Sequence, residues 1–264
     1  MLSTSYIFIA MKELKTINDV IQALDAIVQE SIQMQSRAGY FAALYKRMTM
    51  AVSEGIQKGQ FEDGPRMEAL DILFAERYFA AYHAFKKGGQ CSSSWQCAFT
   101  GGDNPSLVVL QHLLLGINSH VNLDLAIAAA TLAPGDSIHA LEKDFNHINV
   151  LIAALVDDVQ RCLEEVWFPM RFLRNVINSQ GVAVLNFSMA AARKTAWTNA
   201  VLLANMTATE QAAHIKSMDA MVCNIGNRVI HPGFWPGMLL RIVRLTEYED
   251  MGRTIRLIDM TVVD

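Results

Sequence analysis

Apolar residues recur along most of the chain at the spacing of amphipathic helices. In the first clear case, Val20 and Leu24 share one face of a segment that opens at Thr16. Thr16 followed by Asp19 is typical of a helix start, because the threonine oxygen can accept a hydrogen bond from a first-turn N–H. Only the tail, residues 238–260, is equally compatible with helix and with an alternating strand.

Residues that start or stop helices divide the chain into further segments. Pro65 opens one helix and Gly88 ends it, in the positions that these residues favour. We expect Pro105 to open the next long helix. We expect Asp136 to cap another helix, which reaches about residue 166.

Two more segments complete this assignment. Residues 88–104 are rich in Gly and Ser, and we expect them to be irregular with about one helical turn near Trp95. The segment "TATE", from Thr207 to Glu210, is a capping box for a helix that ends before the loop "PGFWPG", residues 232–237.

The pattern predicts an all-α protein with no internal repeat and no linker long enough to separate domains. We expect a single-domain bundle of about seven or eight helices around a central buried helix at residues 105–132. Residues 1–15 are interpreted as an N-terminal extension, and residues 16–264 as the single helical domain.

Composition and charge narrow the choice of partners. Hydrophobic residues make up 52% of the 264 residues and charged residues 18%, as in a core-rich globular protein. A net charge of −4 without a cluster of Lys and Arg argues against nucleic acid. No uninterrupted apolar run predicts a membrane span, and the four scattered cysteines are expected to be free thiols. We expect a cytoplasmic protein that takes a small-molecule substrate or ligand and is compatible with a homo-oligomer.

Polar residues interrupt the expected central helix in the stretch "HLLLGINSHVNLDLAIAAA". Because burying unpaired polar groups is costly, each of them needs a partner. We expect Asn118 and Asn122 to form hydrogen bonds with the backbone of neighbouring helices. His120 and Asp124 are four residues apart, and therefore lie about 6 Å and 40° apart on one helix face. His112 lies about 12 Å earlier along the axis.

The pair of His120 and Asp124 has two interpretations. Two side chains at this spacing can hold one metal ion, as in helical His-x-x-x-His sites. Alternatively, they form a buried hydrogen-bonded pair in which the aspartate orients the histidine. The choice depends on which other ligands reach the same place.

Acids and histidines on other predicted helices support a metal or catalytic use of this pair. Asp71 lies on an apolar stripe, where its carboxylate needs a partner such as a metal, Arg77 or Arg193. Asp144 and His147 share a face of another helix, and such ligands would suit Zn, Fe or Mn. The candidate site therefore comprises the metal ligands His120, Asp124 and Asp71, the catalytic residues His112, His147 and Asp144, and the pocket residues Asn118, Asn122, Tyr78, His231 and Trp235.

Over roughly residues 16–260 the chain resembles an uncharacterised, mainly bacterial family classed as a domain of unknown function. The resemblance implies a helical domain and no established activity. The segments that carry it are "GYFAALYKRMT", "FEDGPRMEALDILFAERYFAAY", "LQHLLLGINSHVNLDLAIAAA" and "FSMAAARKTAW".

The shorter segment "GINSHVNLDL" is similar to the ligand helix of zinc-dependent phospholipase C and the related single-strand nucleases, which are all-α. This resemblance implies that His120 and Asp124 bind zinc and that Asp71 is the carboxylate from an earlier helix. The later H-x-x-x-E of that family is absent, since Leu151 stands four residues after His147. The resemblance is therefore compatible with one or two metal ions rather than with the family's three.

Three functions are compatible with these residues. The first is a metal-dependent hydrolase, acting for example on a phosphoester, in which the metal activates water. Asp71 or Asp144 would then serve as ligand or general base, and His112 or His147 as proton carrier. The second is a metal-free cyclase or isomerase, or a binding protein for an apolar small molecule, that uses the His120 and Asp124 pair. The third is a structural interaction module. In the second case an aromatic stripe would line the cavity: Phe41, Tyr45, Phe74, Tyr78, Trp197 and Trp235.

The polar residues also lead to two expectations about the structure. The loop 232–237 should cover the mouth of an interior cavity, with His231 nearby, because Phe234 and Trp235 need an apolar surface on which to bury. The side chains expected to converge on that cavity are Asp71, His112, His120, Asp124 and at least one of Asp144 and His147.

Overall fold

A computed structural model describes residues 14–148, 189–247 and 249–260, apart from the side chains of residues 189, 190 and 239. Within these ranges the chain forms ten α-helices with both ends described, a further α-helical segment at residues 142–148, and no strand. The all-α class is confirmed, and the expected number of helices was too low. Residues 1–13, most of the expected extension, lie outside the described residues.

The ten helices are numbered in chain order. They are α1 (Ile17–Gln33), α2 (Ala38–Gln57), α3 (Gly64–Lys86), α4 (Ser93–Gly102), α5 (Val109–Ser119), α6 (Leu125–Leu132), α7 (Met189–Ala204), α8 (Ala208–Ile230), α9 (Phe234–Arg244) and α10 (Met251–Asp259). A π-helical turn, His120–Asp124, joins α5 to α6, and a 3₁₀ helix spans Gly135–Leu141.

Capping residues set the helix starts that the sequence predicted. At α1, Asp19 N donates to Thr16 Oγ1 over 3.2 Å, and Thr16 N donates back to Asp19 Oδ2 over 3.0 Å. The same reciprocal box joins Thr207 and Glu210 at the start of α8. Pro65 lies in the first turn of α3, where its missing N–H leaves no helical hydrogen bond unmade.

Two helix boundaries differ from the expectation. The segment expected to be irregular contains α4, a ten-residue helix, because Ser92 Oγ accepts a hydrogen bond from Trp95 N and caps it. The central helix begins at Val109 and not at Pro105. Val108 is extended, and its N–H donates to Gln111 Oε1 over 3.1 Å, so the side chain of Gln111 closes this helix start.

Three later segments also correct the sequence assignment. Asp136 lies in the first turn of a 3₁₀ helix and does not cap an α-helix. The expected helix is confirmed at residues 142–148, and its continuation from residue 149 to 166 falls outside the described residues. The tail forms the helices α9 and α10, which excludes the strand alternative. Most of the expected loop 232–237 is the first turn of α9, since Gly233, with φ of 91°, allows the chain to turn directly into the helix.

The central helix is confirmed as the buried axis of the bundle. It runs from Val109 to Leu132 through the π-helical turn, and it packs against α2, α3, α4, α7 and α8. This helix is long and apolar enough to cross a membrane by length and composition alone. However, 94% of its most apolar window is buried inside the protein, as in a core helix.

A glycine lets α2 and the central helix approach closely. A Cβ atom at Gly116 would lie 2.4 Å from Cγ of Phe41, far inside van der Waals contact. The ring of Phe41 therefore occupies the space above the glycine, and it lines two cavities, one on each side of it.

Candidate functional site

A small interior cavity lies beside His120, between α2, α3 and the central helix. Its volume is about 40 Å³, which is room for about three water molecules. Most of the lining is apolar, and two flexible methionines, Met48 and Met67, contribute to it. The polar residues on its wall are Tyr45, Thr49, Asp71, His120 and Arg193.

Aromatic rings fix the imidazole of His120 in place. The ring of Phe74 stacks on it with centroids 3.5 Å apart and planes 7° apart. Tyr45 meets it edge-on, with centroids 4.3 Å apart. Phe41, Tyr78 and Trp95 surround it at 5.7 to 6.1 Å. The imidazole therefore cannot rotate without displacing a well-packed aromatic cluster.

Asp124 anchors one side of this imidazole. Its Oδ2 lies 3.4 Å from His120 Nδ1 and accepts a hydrogen bond from Trp95 Nε1 over 2.8 Å. Its Oδ1 accepts a hydrogen bond from Arg77 Nε over 3.0 Å. Both carboxylate oxygens are thus held by donors from α3 and α4, and this explains how a charged group is buried here.

The hydrogen-bond network assigns the tautomer of His120. A carboxylate offers only acceptors, so Nδ1 carries the proton that faces Asp124. Burial lowers the pKa of His120 below its ordinary value, Arg77 lowers it further, and Asp124 opposes both effects. The imidazole is therefore neutral near neutral pH, and its Nε2 keeps a free lone pair.

The π-helical turn is centred on the same pair of residues. Here Leu125 N donates to His120 O, five residues back, instead of the four of an α-helix. Single π-helical turns are frequent at functional sites because they widen the helix locally and re-aim its side chains. The helical geometry assumed from the sequence does not hold at these positions.

Four buried polar atoms around the cavity have no hydrogen-bond partner among the described residues. Thr49 lies close enough to Tyr45 to lower its pKa slightly, but neither oxygen has a hydrogen bond of standard geometry. Unpartnered buried polar atoms are rare, and each costs about 1–3 kcal/mol. The four atoms are Tyr45 Oη, Thr49 Oγ1, Asp71 Oδ2 and His120 Nε2.

Burial also shifts the two acids of the cavity. It raises the pKa of Asp71 from 3.8 to about 7, and the nearby charge of Glu68 adds to the increase. Burial raises the pKa of Tyr45 well above its ordinary value, with Asp71 contributing. Near neutral pH, Asp71 therefore exchanges its proton readily, while Tyr45 remains a neutral hydroxyl donor.

The two asparagines of the central helix serve the packing of the bundle. Asn118 Nδ2 donates to the carbonyl oxygen of Val222 on α8 over 2.8 Å, and Asn122 Nδ2 donates to Asn118 Oδ1 over 2.9 Å. The expected hydrogen bond to the backbone of a neighbouring helix is therefore confirmed for Asn118. Neither asparagine is among the described residues that line the His120 cavity.

The expected convergence is only partial. Asp71 and His120 line the cavity, and Asp124 lies directly behind the histidine. His112 lines two other cavities near the start of α5. Asp144 accepts hydrogen bonds from the backbone N–H groups of Glu62 and Asp63 and forms an ion pair with Arg66. These contacts hold the start of α3 in place.

Three further expected site residues lie elsewhere. His147 packs edge-on against Phe61, with centroids 5.4 Å apart, and does not line the His120 cavity. His231 is exposed, and Trp235 is 70% exposed, so α9 does not cover the cavity mouth with these rings. Tyr78 is fully buried, but it lines the second cavity on the far side of Phe41.

Sequence reasoning missed Thr49 and the two residues that hold Asp124, Trp95 and Arg77. Thr49 follows Phe41 and Tyr45 at intervals of four, so one face of α2 carries all three. That periodicity was the available signal for Thr49. The aromatic stripe is confirmed as cavity lining at Phe41, Tyr45 and Phe74, whereas neither Trp197 nor Trp235 lines this cavity.

The described part of the chain contains no group of three or more His, Cys, Asp or Glu side chains arranged to hold a metal ion. His120 turns Nδ1 towards Asp124, and both oxygens of Asp124 are held by other donors. The two residues are therefore placed as a hydrogen-bonded pair rather than as two ligands of one ion. The cysteines Cys91, Cys97 and Cys223 are free thiols, and Cys162 lies outside the described residues.

The fold and site define an all-helical bundle with an interior cavity of acid–base character. The chain belongs to the family described as a family of unknown function (DUF5995), which it matches over residues 17–232. The broader resemblance is therefore confirmed, while the likeness to the phospholipase C ligand helix stays a prediction. The comparisons with curated proteins and with solved structures find no match.

Proposed function

We propose that the protein is a metal-free enzyme that transfers a proton within a small, largely apolar carbonyl compound bound beside His120. The observation that supports this proposal is the set of four unpartnered polar atoms around one cavity. A bound molecule with a polar group would satisfy them, whereas an empty cavity leaves their desolvation uncompensated. The remaining apolar lining suits the hydrocarbon part of such a molecule.

His120 is the proposed general base. Its Nε2 has a lone pair and its Nδ1 is held by Asp124, so it can take a proton from a carbon next to a carbonyl group. The imidazolium that forms is stabilised by the carboxylate behind it, as in other histidine and aspartate pairs. Returning the proton to a second carbon completes an isomerisation that consumes no other reactant.

Tyr45 and Asp71 are the proposed donors to the carbonyl oxygen. Tyr45 stays protonated because burial raises its pKa, and Asp71 is protonated in about half of the molecules near its pKa of about 7. Two donors aimed at an oxygen that gains negative charge stabilise an enolate-like transition state in a dry site. The cavity admits only a small group, so the ligand is small or presents one polar end while the two methionines adjust.

Exchange of hydrogen for deuterium in simple ketones tests the proposal. Purified protein is incubated in D₂O with acetone or butanone, and loss of the α-proton signal is followed by NMR. We expect exchange faster than in buffer, and a loss of about a hundredfold in His120→Gln because the base is removed. The matched control is His214→Gln, since His214 lies on α8 and is bound to Asn199.

Equal exchange rates in the wild type and His120→Gln across the ketones would contradict the proposal. An equal decrease of the exchange rate in His120→Gln and His214→Gln would also contradict it, since the exchange would then come from histidines in general and not from the cavity.

A metal-dependent hydrolase is the second candidate, and one observation favours it. A histidine held by a carboxylate at one nitrogen, with the other nitrogen facing a cavity that contains Asp71, resembles the support behind many metal-bound histidines. Elemental analysis of protein purified without added metal or chelator separates the two functions. About one equivalent of Zn, Fe or Mn in the wild type and none in His120→Gln would support the hydrolase.

A further inference from the structure

A second, larger cleft lies on the other side of Phe41 from the His120 cavity. Its volume is about 130 Å³, and it is bounded by the start of α2, the end of α3, α4 and the start of α5. An aromatic-sized ligand fits this space, because an engineered cavity of about 150 Å³ takes up benzene. We call it the Arg37 cleft, and its lining includes Arg37, Tyr82, Phe85, Lys86, Phe99 and His112.

The walls of the Arg37 cleft are flat aromatic surfaces. Trp95 stacks on Phe99 with centroids 5.0 Å and planes 19° apart. Phe99 also contacts Phe85 and Tyr82, with centroids at 5.1 and 6.1 Å. Planar rings gain favourable offset-stacked or edge-on contacts on such walls, beyond the area that they bury.

Charge at the cleft favours a single negative charge on the ligand. The charged lining residues are Arg37, Lys86 and Asp103. Lys86 Nζ pairs with Glu30 over 3.3 Å at the surface. The guanidinium of Arg37 has no hydrogen bond or ion pair in the described part of the chain. Its charge acts on the nearby Glu247, where it opposes the rise in pKa that burial causes, while Glu247 Oε1 accepts a hydrogen bond from the backbone N–H of Val109.

His112 supplies a second polar group, buried in the wall of the cleft. It is only 6% exposed, and neither ring nitrogen has a hydrogen bond of standard geometry. Burial lowers the pKa of His112 to about 3, and Arg37 contributes to the decrease. The ring is therefore neutral, with one N–H donor and one acceptor. Its contact with the backbone of Leu107, which opposes the fall in pKa, is not a hydrogen bond of standard geometry.

We infer that the Arg37 cleft binds a small aromatic monocarboxylate of the benzoate class, with the ring between the aromatic walls and the carboxylate on Arg37 and His112. A guanidinium recognises a planar carboxylate through two parallel hydrogen bonds. Among the described residues that line the cleft, Arg37 is the one cation without an ion pair, so a singly charged carboxylate suits the cleft better than a phosphate dianion. This site is separate from the proposed proton-transfer site and does not depend on it.

Ligand-observed fluorine NMR with 4-fluorobenzoate and its neutral analogue 4-fluorobenzamide tests this inference. We expect Arg37→Gln to weaken the benzoate about tenfold or more and to leave the benzamide nearly unchanged, because only the charged hydrogen bond is lost. Gly102→Leu should weaken both probes. A Cβ at Gly102 meets nothing within 4 Å, so the added side chain fills the cleft without a clash in the fold.

Arg228→Gln is the control for loss of one positive charge, since Arg228 is exposed on α8 and is not among the residues that line the cleft. It should bind both probes as the wild type does. Three results would overturn the inference: no binding of 4-fluorobenzoate to the wild type at about 10 mM, equal binding by Arg37→Gln, or an equal loss in Arg228→Gln.

Discussion

Asp71→Asn removes the ionisation of the buried acid while preserving its shape. In the wild type, the folded state holds the proton of Asp71 up to its pKa of about 7, whereas the unfolded chain releases it near 3.8. Between these values the folded state binds more protons than the unfolded state. The free energy of unfolding therefore falls as the pH rises through this window, and the loss is complete above the folded pKa.

The size of this effect follows from the two pKa values. Each pH unit within the window costs about 1.4 kcal/mol, so the wild type loses about 3 kcal/mol between about pH 4.5 and about pH 8 from this group alone. Glu247 has a pKa that is also raised to about 7, but its contribution is present in both proteins and cancels. We therefore expect the difference in free energy of unfolding, Asp71→Asn minus wild type, to increase by about 3 kcal/mol over this interval.

Urea unfolding of both proteins across this pH range measures the difference. Asp219→Asn is a control of opposite sign, because hydrogen bonds from Ser93 and Ser94 lower the pKa of Asp219 despite its partial burial. The wild type gains stability from ionised Asp219 as the pH rises from acid, and the variant lacks this gain. The free energy of unfolding of Asp219→Asn relative to the wild type should therefore fall as the pH rises. A difference between Asp71→Asn and the wild type that does not change with pH would refute the raised pKa of Asp71.

Three further substitutions test the packing around His120, each by urea or thermal unfolding. Tyr45→Phe removes an unpartnered buried hydroxyl and should raise the free energy of unfolding by about 1 kcal/mol; a loss of stability would show that this hydroxyl has a partner. Trp95→Phe breaks the hydrogen bond to Asp124 and should cost about 1.5–3 kcal/mol; an unchanged midpoint would contradict it. Gly116→Ala should destabilise by about 1–3 kcal/mol because the added methyl group overlaps Phe41, and a stabilised variant would show that the ring moves aside freely.

Local features of the fold were predictable from the sequence because their causes are local. The capping boxes at Thr16 and Thr207 involve residues three apart, and the burial of the central helix follows from its apolar composition. The start of α5 was misplaced because a side chain, Gln111, and not a proline, closes it. The helix α4 was missed because the Gly- and Ser-rich composition indicated an irregular segment, whereas the hydroxyl of Ser92 caps a helix there.

The site was only partly predictable because its partners come from distant parts of the chain. The residues that hold Asp124 lie 29 and 47 positions earlier, and no periodicity links them to it. The π-helical turn at His120 also departs from the regular spacing on which the metal hypothesis depended. Asp71 could be recognised as a carboxylate on an apolar face, but its lack of a partner depends on the neighbouring helices.

The protonation state of His120 tests the central claim most directly, because the proposed chemistry requires a lone pair on Nε2. Long-range nitrogen–proton NMR of protein labelled with ¹⁵N-histidine reports the tautomer of each of the seven histidines, and His120→Gln identifies the relevant signals. The account predicts a neutral ring near neutral pH with the proton on Nδ1, facing Asp124. A charged ring, or a neutral ring with the proton on Nε2, would contradict it.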